Sequence, residues 1–178
     1  MINDSHIYIN KGSGCRSGKL WITLILVLFT YAANAQQKPP SPISVYFNPS
    51  EGLRFGAIFQ SASGGTVSVS TSGVRTFTGS AVGADLGVVY GAAEFEILAT
   101  PGTRVAIMNG PDATLYGSSG GTMTMHIGSC YPASPFVTTA TPPAQTTISV
   151  GGTLTIGSSV ANPSGTYSGS FIVTFVQE

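Results

Sequence analysis

Charge is scarce in this sequence, since only 8% of its 178 residues are Asp, Glu, Lys or Arg. From residue 36 onward there are four basic and six acidic side chains, a net charge of −2, and Lys38 is the only lysine. Nucleic-acid binding depends on Lys and Arg side chains that neutralise phosphates. A chain this poor in basic side chains is predicted not to bind nucleic acid.

Cysteine and tryptophan are almost absent as well. The cysteines are Cys15 and Cys130, and the single tryptophan is Trp21. If residues 1–35 are removed, Cys130 is left alone and no internal disulfide can form, so the chain must rely on its own core for stability. We expect Cys130 to be buried or to lie at an inert loop position, and availability to another chain is the alternative.

The residues before position 36 resemble an export signal. Basic residues, an apolar run and a small-residue cleavage site follow one another: Lys11, Arg16 and Lys19, then 20–33, then Ala33-Asn34-Ala35. We therefore predict a cleaved signal peptide over 1–35. The apolar run has 14 residues, fewer than the roughly 20 of a membrane-spanning helix, and an uncleaved anchor is the alternative. No transmembrane segment is predicted in the mature chain.

Glycine and proline, in contrast, are abundant, with 23 and 11 residues respectively. The sequence QQKPPSP at 36–42 predicts a Pro-rich extended arm. After it, apolar residues alternate with polar ones, which is typical of half-buried strands. The clearest alternating sets are Ile43, Val45 and Phe47, then Leu53, Phe55 and Ala57, and finally Phe171, Val173 and Phe175 against Ile172, Thr174 and Val176. No stretch has a convincing helical period.

Turn signals punctuate these strands. Three similar phrases, GGTVSV from Gly64, GGTMTM from Gly120 and GGTLTI from Gly151, each predict a glycine turn that leads into a strand with one hydroxyl face. The TSG triplet at 71–73 and the Pro101-Gly102 pair each predict an antiparallel hairpin. We predict an all-β fold, an antiparallel immunoglobulin-like (pilin-like) β-sandwich in a single domain over 43–178, with a closed barrel as the alternative.

Several longer phrases resemble one family. These are LRFGAIF, GGTVSVSTSGVRTFTG, AAEFEILATPG, GGTMTM, VGGTLTIGSS and SGTYSGSFIVTF, which lie between Leu53 and Phe175 within a resemblance that runs from about Ile43 to Val176. In combination they resemble the exported bacterial family called domain of unknown function forty-four-zero-two. That resemblance implies a β-sandwich similar to spore-coat and fimbrial subunits, displayed in the envelope or outside the cell. It implies no catalytic residues.

No candidate catalytic or metal-binding residue has the sequence neighbours that its chemistry would require. Ser119 fits a G-x-S-x-G pattern, but a strand follows it and no acid-then-histidine order does. Glu94 and Glu96 are spaced to share the solvated face of a strand. His126 and Cys130 are too few for a structural zinc site. Asp85 and Asp112 lie in stretches typical of turns. We predict no catalytic residue, metal or cofactor.

Function is therefore expected to lie in assembly or binding. So few lysines leave sheet edges poorly defended, and we expect an edge to be covered by another copy or an envelope protein through strand pairing. This favours a non-enzymatic structural subunit, exported to the periplasm, the outer surface or the medium. The alternative is an adhesin or carbohydrate-binding module acting through loops 110–121 or 128–145, although the second loop offers only Tyr131 and Phe136 as aromatic contacts.

Overall fold

The fold is all-β, as predicted, with no α-helix in the part of the chain that the structure describes. The computed structural model describes residues 41–59 and 63–178. Its strands are β1 Ser44–Phe47, β2 Arg54–Phe55, β3 Ile58–Phe59, β4 Gly65–Val69, β5 Arg75–Gly79, β6 Val82–Gly83, β7 Tyr90–Gly91, β8 Ala93–Leu98, β9 Arg104–Asn109, β10 Ala113–Gly117, β11 Thr122–Tyr131, β12 Phe136–Val137, β13 Thr146–Ile156, β14 Tyr167–Ser168 and β15 Val173–Gln177. A 3-10 turn covers Pro49–Glu51. The predicted signal peptide at 1–35 and most of the arm at 36–42 lie outside the described residues.

Eight strands form the larger sheet. Its order is β1-β8-β13-β11-β10-β14, and β4 and β5 extend it beside β13. The long strand β13 makes this arrangement work: its first half pairs with β8, its second half pairs with β4, and β11 lines its other side. All these pairings are antiparallel.

A smaller sheet faces the larger one. It has three antiparallel strands in the order β12-β9-β15. Two further sheets have two strands each, β2 with β7 and β3 with β6. Because both sheets end in separate edges, the fold is a sandwich and the barrel alternative is wrong.

Two hydrophobic clusters fill the interior. One gathers around β4, β10, β11 and the second half of β13, and its buried members are Phe55, Val67, Val69, Ala81, Ala113, Leu115, Met123, Met125, Leu154 and Ile156. The other lies between the two sheets, with Ala93, Ile97, Ala99, Val105, Ile107, Ile127, Phe136, Ile148 and Val150. Leu53 and Phe171 pack against both clusters and join them.

Two turn predictions are confirmed in detail. The TSG triplet connects β4 to β5 as a hairpin, in which the Gly73 amide donates to the Ser70 carbonyl. The first glycine of each of the first two GGT phrases takes the positive φ angle of a turn, 70° at Gly64 and 89° at Gly120. In the strand that follows Gly120, Met123 and Met125 are buried while the threonines beside them are exposed.

The third GGT prediction is wrong, because Gly151 and Gly152 lie inside β13. Glycine is needed at both positions because neighbouring segments approach the β13 backbone too closely for a Cβ atom. A Cβ on Gly151 would lie 2.5 Å from the Val69 carbonyl oxygen, and one on Gly152 would lie 2.7 Å from the Leu53 side chain. Opposite them β11 carries a bulge between Ile127 and Cys130. These glycines allow three segments to meet at the centre of the sheet.

The predicted hairpin at Pro101-Gly102 is also wrong. Strand β8 belongs to the larger sheet and β9 to the smaller one, so the connection crosses from one layer to the other. Ile97 and Val105, 1% and 0% exposed, therefore reach the same core from opposite sides. The crossing is held by Thr138, whose hydroxyl donates to the Thr100 carbonyl at 2.8 Å.

Three other expectations need correction. β1 forms, but its inward residues Val45 and Phe47 remain 43% and 46% exposed, so it is not half buried. The predicted loop 110–121 contains strand β10 and a tight turn, and the predicted loop 128–145 contains the end of β11 and all of β12. Strand thus accounts for five of the 12 residues in 110–121 and six of the 18 in 128–145, and the remaining residues form turns and loops.

Arg75 clamps the segment 54–59 onto the larger sheet. Its Nη1 donates to the carbonyls of Phe55, at 2.9 Å, and Ala57, at 3.2 Å. The guanidinium also lies 4.1 Å from the ring centre of Tyr90 and 4.9 Å from that of Phe77. The short segment 54–59 thus gains hydrogen bonds and cation–π contacts from one side chain.

Arg75→Ala is expected to lower the free energy of unfolding by about 2–3 kcal/mol, because charge-assisted hydrogen bonds and stacked contacts are lost together. Arg75→Lys should recover only part of this, since an ammonium cannot reproduce the planar fork. Urea unfolding measures both. Arg104→Ala is the control and should cost less than about 1 kcal/mol, because its ion pair is exposed. Equal losses at the two arginines would contradict the clamp.

Candidate functional site

The residues considered as catalytic or metal-binding candidates do not come together. Ser119 is exposed in the turn between β10 and β11, and Glu94 and Glu96 lie on the exposed face of β8, as predicted. His126 Nδ1 lies 2.7 Å from Asp112 Oδ1 at the surface. Within residues 41–59 and 63–178, no group of three or more His, Cys, Asp or Glu side chains is placed to hold a metal ion.

Cys130 lies on β11 and not in a loop. It is half-buried, unpaired and packed against the cluster between the sheets. Cys130 thus packs against the core but keeps part of its surface accessible, so it is neither fully buried nor in a loop.

A polar cleft of about 400 Å³ opens where several segments meet. The 3-10 turn contributes Glu51, β2 contributes Arg54, β8 contributes Glu94, and the tip of the β4–β5 hairpin closes one side. None of these three charged side chains forms an ion pair with another described residue. The predicted binding loops 110–121 and 128–145 do not line this cleft.

The most distinctive feature of the surface is the edge formed by β15. This strand pairs with β9 alone, from Val173 opposite Asn109 to Gln177 opposite Val105, and no other described strand pairs with it. The side chains alternate as predicted: Val173 and Phe175 pack against the core, whereas Thr174 and Val176 are exposed. What the alternating pattern did not indicate is that β15 ends a sheet.

The hydrogen bonds of β15 show which backbone groups are free. The Gly110 amide donates to the Ile172 carbonyl at 2.8 Å, and the Glu178 amide donates to the Arg104 carbonyl at 3.0 Å. Even-numbered residues therefore direct their backbone groups toward β9, because hydrogen-bonded pairs alternate in an antiparallel ladder. The amides and carbonyls of Val173, Phe175 and Gln177 point away from the sheet.

The opposite edge of the small sheet is the two-residue strand β12, and beyond it the free side of β9 is covered. The Ser134 hydroxyl accepts from the Ile107 amide at 2.7 Å and donates to the Ile107 carbonyl at 3.1 Å. Further along, the Thr138 amide donates to the Thr103 carbonyl. Side chains and a loop thus satisfy the backbone groups of β9 where β12 ends. One edge of this sheet is protected and the β15 edge is not.

The side chains around the β15 edge are apolar and uncharged. Ile172, Val176 and Met108 are 63%, 38% and 56% exposed on the outer face of the sheet. There is no charge between residues 171 and 177, and the nearest ion pair, Arg104 with Glu178, lies at the end of the strand. Lysines and inward charges, the usual protection of an edge strand, are absent from β15.

Aromatic rings connect this edge to the edge of the larger sheet. Phe95 on β8 stacks with Phe47 on β1 at 5.1 Å and meets Phe175 on β15 edge-on at 5.4 Å. Phe171 lies 6.5 Å from Phe95. Since Phe47 is 46% exposed, the cluster reaches the surface between the two edges. We call β1, β15 and these rings the open seam.

The strands, their antiparallel pairing and the two facing sheets define an all-β sandwich protein. The chain belongs to the family described as Domain of unknown function (DUF4402), whose model matches residues 45–176. The match covers every strand described above except the ends of β1 and β15. No curated protein and no solved structure matches the chain. The described part of the chain contains no helix with the length and hydropathy needed to cross a membrane.

Amide exchange should alternate along β15 when the protein is dilute. The amides of Val173, Phe175 and Gln177 are expected to exchange quickly, because they have no partner, while those of Thr174 and Val176 exchange slowly. Residue-resolved hydrogen exchange by NMR measures this. Slow exchange at all five amides in a monomer, or the opposite alternation, would contradict the open edge.

Proposed function

We propose that this protein is a non-enzymatic, exported structural subunit of the cell envelope or surface, fimbria- or coat-like, which assembles by strand pairing. The observation that carries the proposal is the β15 edge, where Val173, Phe175 and Gln177 present unpaired backbone groups. An added strand would hydrogen-bond to these groups, as strand-addition complexes do.

The side chains around this edge favour assembly over a monomer in solution. Exposed Ile172, Val176 and Phe47 surround the free backbone groups, so a pairing strand would bury apolar surface while it makes hydrogen bonds. The other edge of the same sheet is only two residues long, and the backbone of β9 is covered beyond it, so the chain has means to protect an edge. An edge left open in such a protein is best explained by a partner.

Export is the second part of the proposal, and it rests on the sequence of residues 1–35. A basic segment, an apolar run and the Ala33-Asn34-Ala35 site support release of a mature chain into the periplasm, onto the outer surface or into the medium. The lone Cys130 and the dependence on a hydrophobic core fit a chain that needs no disulfide there.

Val176→Lys is expected to abolish assembly of the mature chain without unfolding it, because the lysine places a charge on the open edge and points to solvent. Size-exclusion chromatography with light scattering over a range of concentrations measures the assembled fraction. The matched control is Val82→Lys, an exposed valine on β6, 60% exposed, which should assemble normally. A wild-type chain that stays monomeric at every concentration would contradict the proposal.

The alternative is an exported binding module, adhesin-like or carbohydrate-binding, and the polar cleft favours it. Glu51, Arg54 and Glu94 have free carboxylate and guanidinium groups there, which suit a ligand with several hydroxyls. Under this alternative a glycan array would detect binding by the mature chain, and Arg54→Ala would weaken it about tenfold or more, the loss of one charge-assisted hydrogen bond. Arg104→Ala, away from the cleft, would leave it unchanged.

A further inference from the structure

We infer that the strand that pairs with β15 is β15 of a second copy, in an antiparallel, two-fold symmetric contact centred on Phe175. The inference rests on the proposed function and names the partner and the register. It follows from the free backbone groups, the charges and the side chains of the open seam.

The free groups of β15 are complementary to themselves. Val173, Phe175 and Gln177 form a set that is symmetric about its middle member. In an antiparallel pair centred there, Phe175 lies opposite the second copy's Phe175, and Val173 lies opposite the second copy's Gln177. Each such pair exchanges two bonds, so the contact forms about six backbone hydrogen bonds. A shift of one residue would direct free groups at groups already bonded to β9.

The charges also fit a second copy. Each strand carries one ion pair, Arg104 with Glu178, at its end. In the symmetric register the two Glu178 residues lie at opposite ends of the contact, about 20 Å apart at roughly 3.4 Å per residue. This exceeds the screening length of about 8 Å at physiological ionic strength. Two copies therefore meet along an uncharged segment without like-charge repulsion.

The side chains continue across the contact on both faces. On the outer face Thr174 lies opposite the second copy's Val176, so the exposed apolar patch of Met108, Ile172 and Val176 joins its equivalent. On the inner face the two Phe175 rings become neighbours, and aromatic cross-strand pairs stabilise antiparallel ladders. The exposed ring of Phe47 is connected to Phe175 through the ring of Phe95.

The arm at 36–42 is a weaker candidate for the same edge. Three of its seven residues are proline, at positions 39, 40 and 42, and proline cannot donate to a ladder. Strand β1 of another copy is a further candidate, and it is an outcome that the experiment distinguishes. A two-fold contact occupies the β15 edge of both copies, so it closes a dimer, and larger assemblies then grow through other edges.

Cysteine cross-linking tests the register. In the mature chain carrying Cys130→Ser, Thr174→Cys and Val176→Cys are prepared as separate proteins, and then mixed, equilibrated and oxidised. Residues 174 and 176 of different copies lie directly opposite, at about 4.5 Å between Cα atoms, within disulfide range. Like residues lie diagonally, about 7–8 Å apart and beyond that range. The mixture should give at least about five-fold more disulfide dimer than either protein alone.

The controls separate this inference from the proposed function. A mixture of Thr76→Cys and Thr78→Cys, on exposed positions of β5, should not cross-link. Light scattering on the unoxidised samples reports assembly independently. Assembled protein without the 174–176 cross-link, or with Thr174→Cys linking to itself equally well, would overturn the register alone. A cross-link between Val45→Cys and Val176→Cys would assign the edge to β1 of another copy and overturn the inference. Monomers throughout would overturn both.

Discussion

Burial of alternate side chains along β13 is the interaction on which the rest of the structure depends. Ile148 and Val150 in its first half are fully buried between the two sheets, and Leu154 and Ile156 in its second half belong to the other cluster. With six strands arranged around it directly or through one neighbour, β13 holds both clusters in one framework. Full burial of each such side chain contributes about 1.5–3 kcal/mol, and Cys130, the one cysteine among the described residues, forms no disulfide.

The solvent-exposed face of the larger sheet carries few charged side chains. Hydroxyl groups supply most of its polarity. Five threonines stand in register across neighbouring strands of the larger sheet: Thr114, Thr124, Thr155, Thr66 and Thr78. The last two are joined by a 2.6 Å hydrogen bond between their hydroxyls. Threonine suits both needs, because it favours strands and carries a hydroxyl. Hydroxyl side chains can make the face of a sheet polar in this way, but they leave the free backbone groups of an edge strand without partners.

The local structure could be predicted from the sequence, and the arrangement of strands could not. Alternation identified the closing strand and divided its side chains into two faces, because successive residues point to opposite sides of a sheet. The structure shows that Val173 and Phe175 face the core. Gly-Gly pairs were ambiguous, since the pair at Gly64 permits a turn whereas Gly151 and Gly152 permit close packing inside a strand. Nothing near Pro101 indicated whether the next strand returns beside β8 or crosses to the other sheet, because both connections use the same turn residues.

The candidate site, the open seam, could not be located from the sequence for the same reason, because it depends on the arrangement of the strands. The scarcity of lysine predicted an undefended edge, but which strand is an edge depends on long-range pairing, such as that of β15 with β9 across more than sixty residues of chain. The side chain of Ser134, which closes the other edge, has no sequence signature of its own. Once the topology is known, the difference between the edges becomes chemical. Ile107 has both backbone groups satisfied by one hydroxyl, whereas Phe175, its neighbour in register, has both directed outward, where only another strand can satisfy them without water.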